Sequence, residues 1–262
     1  MAYLYETHLH TSQGSRCGSS TGREQARFYH DRGYQGIIVT DHFFGGNTAA
    51  PRDGSWKDRI SRFCEGYVDA WNEGQRIGLD VFFGWEQTFE GDDYLVYGLD
   101  MQWLLEHPEM EHWNRREQLA GVHAAGGCVV QAHPFRCRDY LSRVLLGPDY
   151  ADAVEVANAG NEPLHDYYAR LYAETHHLMM TSGSDNHRAQ DGAPLMGVSL
   201  KRKLRSIRDW VRIIRKGEPV ELHVPFSRFA MPLNTELPLS CYLLDEHEDK
   251  VRYRQRWLHD VE

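Results

Sequence analysis

The stretch FFGWEQTFEGDDYLVYG, residues 82–98, holds the end of one strand-like run, DVFFG (80–84), and the whole of a second, YLVYG (94–98). Only nine residues, WEQTFEGDD, lie between them. A parallel crossover needs about a dozen residues or more, so these two strands are expected to be antiparallel or distorted. Working outward, similar β-branched or aromatic runs recur at 3–7, 36–40, 127–131, 152–156 and 178–182, giving seven candidate strands. Helix-like stretches separate most of them. Thr21 to Glu24 has the capping-box pattern, with Gly33 placed to end that helix, and residues 56–77, 113–125 and 162–176 carry helical spacing. Such alternation predicts an α/β barrel or open sheet with mostly parallel strands. The short connection argues against a regular eightfold barrel.

At 262 residues, the chain can form one large domain with an appendage. A boundary is expected near residue 218: residues 1–218 form the barrel domain, and 219–262 an extension packed on it, with a hairpin in CYLLDEHEDKVRYRQRW. The segment KRKLRSIRDWVRIIRK (201–216) reads as a barrel helix with a solvated basic face. No apolar run approaches the roughly 20 residues of a membrane span, and the N-terminal residues lack the pattern of a cleaved signal. Five cysteines without a C-x-x-C pair fit a reducing compartment, so a cytoplasmic location is expected. A net charge of −9 disfavours non-specific nucleic-acid binding. Five lysines leave 24 of the 29 basic residues as arginine, the side chain suited to phosphate and carboxylate.

Histidines and carboxylates recur where the candidate strands end. His8 and His10 follow the first, Asp41 and His42 the second, Glu86 the third, His133 the fifth, and Asp185 with His187 the seventh. The carboxyl ends of parallel strands form one face, which carries the chemistry in such folds. A reversed fourth strand begins at that face, which brings Asp93, just before it, there as well. Residues at i and i+2 of extended chain point the same way, so His8 with His10, and Asp185 with His187, can reach inward together. Each motif alone is weak, but their repetition at strand exits points to a metal centre. The other ten of the fifteen histidines lie in helix-like, loop or tail positions and are assigned structural or surface roles.

Taken in order, HLHTS, TDH, the glutamate of GWE, AHP and SDNH resemble the PHP (polymerase and histidinol phosphatase) superfamily over roughly residues 5–200. The resemblance implies a distorted (β/α)7 barrel with two or three divalent metal ions at the strand ends. It also implies hydrolysis of phosphate esters. His8, His10 and Asp185 would hold one metal, and Glu86 would bridge it to a second. His133 and Asp93 would complete that second site, while His42 and His187 would hold a third. Cys17 stands in the loop where the family usually has another ligand; it is either a thiolate ligand or an inert loop residue. Asp41 is either a ligand or an acceptor that orients a histidine. Zinc, manganese and iron all suit imidazole and carboxylate ligands.

The expected enzyme is a metal-dependent hydrolase of a small phosphorylated metabolite or nucleotide, acting through a metal-bridging hydroxide. Glu86, His133 and Asp185 are its expected catalytic residues, and Arg136 and Arg188, beside ligands, are expected to grip phosphate. Two other readings are an exonuclease on nucleic-acid ends and a non-catalytic metal-binding module. Amidohydrolases also pair H-x-H with a late aspartate, but many bridge their metals with a modified lysine. No lysine lies between Lys57 and Lys201.

Overall fold

Residues 82–98 form a hairpin. The computed structural model describes residues 2–230 and 236–253. Within it, β3 (Asp80–Thr88) and β4 (Asp93–Tyr97) pair antiparallel, joined by a turn in which Gly91 takes φ +99°. The other strands are β1 (Tyr3–Leu9), β2 (Gly36–Val39), β5 (Cys128–Ala132), β6 (Val144–Leu146), β7 (Ala153–Asn158), β8 (Met179–Gly183), β9 (Gly197–Leu200), β10 (Glu221–His223), β11 (Cys241–Leu244) and β12 (Lys250–Arg252). Helices α1 (Gly22–His30), α2 (Trp56–Phe63), α3 (Glu65–Ile77), α4 (Met101–Glu106), α5 (Arg115–Ala124), α6 (Pro163–Thr175) and α7 (Ile207–Lys216) alternate with them. The Thr21–Glu24 capping box opens α1. The stretch 56–77 is two helices, which meet at Cys64.

One sheet runs in the order β10-β9-β1-β2-β3-β4-β5-β7-β8. β1, β2 and β3 are parallel, β4 runs against both its neighbours, and β5, β7 and β8 are parallel again. The two ends of this seven-strand run then meet. Asp185 N–H donates to His8 O at 2.7 Å, and His10 N–H to Asn186 O at 3.0 Å, so the sheet closes into a nearly complete barrel at its upper end. At the lower end β9 pairs antiparallel with Tyr3–Tyr5 of β1 and occupies the seam instead. This is the distorted seven-strand α/β barrel expected above, with extra edge strands.

Side-chain alternation sorts the barrel into layers. Tyr5, Ile38, Leu95, Tyr97, Val130 and Ala153 share a buried cluster with Trp210, Val211 and Ile214 of α7, which packs into that apolar cluster. The helix therefore buries Trp210, Val211 and Ile214 and exposes its basic residues, and its regular part begins only at Ile207. Two residues further along the inward faces, β3 and β7 carry Glu86 and Glu155. The outward residues Leu9, Ile37, Val39 and Val81 meet α1 and α3, and Phe83 and Trp85 meet α2.

Past residue 218 the chain is interwoven with the barrel. β10 extends the main sheet through β9, and β11 pairs parallel with β6, with β12 completing a hairpin. Cys241, Leu239 and Leu243 pack in the cluster that holds Phe135, Val154 and Tyr172. The end of the expected hairpin, residues 254–257, lies outside the described residues.

Candidate metal centre

Three groups of ligand atoms converge at the upper end of the barrel. His8, His10 and Asp185 form one, His8, Glu86 and His133 a second, and His10, His42 and His187 a third; within each, one ligand atom per residue lies within 4.8 Å of the others. His8 and His10 each serve two groups. The strands explain the placement only in part. Glu86 lies inside β3 and not beyond it, on the inward face, opposite Leu95 of β4. His133 and Asp185 have φ of +28° and +52°, a backbone region that costs a non-glycine residue of order 1 kcal/mol or more. Asp185 is not extended, so it and His187 reach the centre in different groups. Asp185 joins His8 and His10, while His187 stacks on His10 at a centroid distance of 4.3 Å.

The hydrogen bonds fix which nitrogen of each ring faces the centre. His8 Nδ1 lies 3.0 and 3.2 Å from the two oxygens of Glu155 and donates to that carboxylate, leaving Nε2 as an acceptor. Ser15 Oγ donates to Asp41 Oδ1 at 2.7 Å, so His10 Nδ1, 3.1 Å from Ser15 Oγ, is the donor of that pair. The Nε2 atoms of His8 and His10 then point at one another across 3.2 Å. Two facing lone pairs need a cation or a proton between them. Without metal a proton takes that role: burial pushes the His8 imidazole down, but Glu155, Asp185 and Glu86 together hold it well above the ordinary range. His10 is pushed well below it by burial and by His187 and His42.

The carboxylates are charged. Burial raises Glu86, but His42 and His8 outweigh it and hold the group well below the usual range. Asp185 behaves likewise, lowered chiefly by Arg136 and His8. Glu86 Oε2 is buried without a hydrogen-bond donor, as is His42 Nδ1 without an acceptor, although the two atoms are only 2.6 Å apart. A fully buried carboxylate with ring nitrogens of His8, His10, His42 and His133 all within 3.5 Å of it is the donor set of a divalent-cation site. The residues fit such an ion.

Several expected roles change. Asp41 is turned away from the ligand groups: its oxygens accept from Thr11 N–H, Thr11 Oγ1 and Ser15 Oγ, so it orients His10 through Ser15. Arg136 is no free phosphate clamp. Its Nε, Nη1 and Nη2 donate to Asn161, Asp185 and Asn158, which makes it the buried partner of Asp185. Arg188 is exposed and does not line the cavity beside the centre, so its expected grip on phosphate there does not hold. Asp93 stands apart from the three groups, its Oδ2 3.9 Å from His133 Nε2, and its carboxyl is pushed up to about 6 by burial and by Glu86. Cys17 is exposed at the same cavity; burial would raise its thiol, but hydrogen bonding with His187 and His42 brings it to about 6.

Glu155 is the residue that the motifs did not disclose. Fully buried on the inward face of β7, it holds His8, accepts from His133 N–H at 3.1 Å and from Asn158 Nδ2 at 2.8 Å. The available signal was a lone charge inside the apolar run AVEVAN. Gly183 makes room for it: a Cβ there would lie 2.6 Å from both Glu155 Oε1 and His8 Cβ.

No family model matches this chain, and no curated protein sequence matches it. Solved structures do share its fold. A two-domain protein from Bacteroides vulgatus, containing a predicted PHP-like metal-dependent phosphoesterase, superposes with a TM-score of 0.61 at 15% identity, over 86% of this chain and 65% of that one. A candidate metal-dependent phosphoesterase from Bifidobacterium adolescentis gives 0.53 at 18% identity, over 83% and 97%. An amidohydrolase from Chromobacterium violaceum gives 0.52 at 16%, over 83% and 97%. The barrel is thus of the kind seen in PHP-like proteins. Among the described residues no helix is long and apolar enough to cross a membrane.

Proposed function

We propose that this protein is a metal-dependent phosphoesterase of the PHP type, which hydrolyses the phosphate ester of a small metabolite or nucleotide. The observation that carries the reading is the convergence of His8, His10, Glu86, His133 and Asp185, with the Nε2 atoms of His8 and His10 facing one another, beside a cavity of about 540 Å³ that His133 and Asp185 line. Two or three divalent ions held there would supply a nucleophilic water at neutral pH and stabilise charge on phosphoryl oxygens.

The chain's own residues prepare that chemistry. Glu155 and the Asp41–Ser15 pair set the tautomers of His8 and His10. Arg136 keeps Asp185 ionised and fixed. No lysine lies between Lys57 and Lys201, so a carboxylate such as Glu86 would have to take the place of a modified lysine between two ions, which favours the phosphoesterase reading over a lysine-bridged amidohydrolase.

The test is hydrolysis by the metal-replete protein of p-nitrophenyl phosphate and a panel of phosphorylated metabolites and nucleotides. Glu86→Ala and His133→Ala are expected to lower turnover at least about a hundredfold, since each strips a ligand from the centre. Activity unchanged in both variants refutes the mechanism. Competition between mononucleotides and short oligonucleotides separates the metabolite reading from an exonuclease.

A further inference from the structure

The cavity beside the centre has two chemically different ends. One is the histidine–carboxylate cluster. The other is the loop 134–143 between β5 and β6, which brings Arg138, Tyr140 and Arg143 to the same cavity. Arg136, from that loop, is already committed to Asp185 and two asparagines. The other two arginines are not. Arg138 is exposed, and its guanidinium has no hydrogen-bond or ion-pair partner among the described residues. Arg143 reaches Glu90 only at 3.6 Å, and that carboxylate is nearer Lys250, at 2.7 Å. Its Nε is buried and has no acceptor.

Nearby acids do not cancel this charge. Asp92 lines the cavity, but both its oxygens are taken by Arg115. Asp139 is exposed and outside the lining. A buried guanidinium N–H without an acceptor costs stability unless something supplies one, and a planar fork of donors selects phosphate or carboxylate. Tyr140, 82% exposed, adds an aromatic face at the rim.

We propose that Arg138 and Arg143 form a second anion subsite, and that the substrate is two-ended. Its phosphate ester sits at the histidine–carboxylate cluster, and a second phosphate or carboxylate on the same molecule is held by the two arginines. The carbon skeleton between lies along Tyr140 and Leu141. The inference rests on the phosphoesterase reading for the first end only; the second end is a binding claim and is tested as one.

The probes are non-hydrolysable: alkane-α,ω-bisphosphonates, ω-carboxyalkylphosphonates and plain alkylphosphonates of matched, varied chain length. Each is titrated calorimetrically into metal-replete protein. At one or more lengths a doubly anionic probe is expected to bind at least about tenfold tighter than its singly anionic partner, the worth of one charge-assisted contact. The Arg138→Ala/Arg143→Ala variant brings that ratio close to one. Should that variant not fold, Arg138→Ala, at an exposed position, shifts the ratio in the same direction. Comparing the bisphosphonates with the carboxylates tells which second anion is preferred. Equal or absent binding of all probes by the wild type, or a ratio kept in the variants, overturns the subsite. Hydrolysis of simple esters, measured separately, bears only on the first end: no turnover with an intact ratio rejects the phosphoesterase reading and leaves the subsite standing.

Discussion

Glutamine in place of Glu155 changes one oxygen to an NH2 group and nothing in volume. The carboxylate takes three donors, His8 Nδ1–H, His133 N–H and Asn158 Nδ2–H, with no water-exposed surface. Glutamine keeps one accepting oxygen, so at least one of these donors then faces an amide N–H. A lost hydrogen bond to a charged group is worth about 1.5–3 kcal/mol, or roughly 10- to 150-fold in an equilibrium constant. Since His8 belongs to two of the three ligand groups, the loss falls on metal affinity. The assay is competition with a chromogenic chelator for added zinc or manganese, using wild type, Glu155→Gln and Glu162→Gln, the last an exposed control on α6's N-terminal side. Sign with pH follows from the same contact. Glu155 raises the affinity of His8 for a proton as well as for a metal ion, so the variant's deficit is larger at pH 8 than at pH 6, where the proton no longer competes as strongly in the variant. A folded Glu155→Gln protein that binds metal within about threefold of wild type at both pH values refutes the role assigned to this carboxylate.

Three further outcomes are expected. Gly183→Ala drives a methyl group into Glu155 and His8, and should cost about 1–3 kcal/mol in urea denaturation together with weaker metal binding; a neutral result contradicts the packing. Chelation should lower Tm on the order of 10 °C if the ions bind with free metal about a thousandfold above Kd, an unchanged Tm arguing that no ion is held. His165, buried beneath the arginines of the 134–143 loop, is lowered to about 4 by burial, then by Arg136, Arg138 and Arg228. Its folded form therefore binds the proton later than the unfolded chain does, and the stability it contributes is present above pH 6.5 and lost as pH falls toward 4. Wild type should lose about 3 kcal/mol over that window that His165→Leu does not lose, measured by denaturant unfolding at several pH values; parallel curves would remove histidine as the cause.

Much of the barrel was readable because apolar runs and turn residues report local geometry. The nine residues between two strands were enough to reverse β4, and that reversal puts Asp93 at the same end of the barrel as Ala132 and His133. What stayed hidden depends on partners far away in sequence. Gly197–Leu200 is a strand because β1 offers its lower edge, and Val144–Leu146 because Cys241–Leu243 lies beside it. The site divides the same way. H-x-H, AHP and SDNH stand out because few side chains have imidazole or carboxylate chemistry at strand ends. Arg136 and Arg188 flank ligands equally in sequence, and only the fold sends one into Asp185 and the other to solvent. In sequence Asp41 reads equally as a ligand or as an acceptor that orients a histidine, until Thr11 and Ser15 are seen to claim its oxygens.

The closing seam of the barrel has a consequence for how the protein is made. Asp185, and the backbone groups of Asp185 and Asn186 that join the first strand, are made some 175 residues after His8 and His10. At a synthesis rate of about 5–20 residues per second, the nascent chain carries an unfinished ligand set for on the order of ten seconds or more. During that interval the histidines can bind metal only in incomplete sets. The last contact to form then does two jobs at once, joining the first strand to the eighth and completing the ligands around a cation. If the proposed function holds, a cation at this site would favour the closed barrel over partly assembled chains.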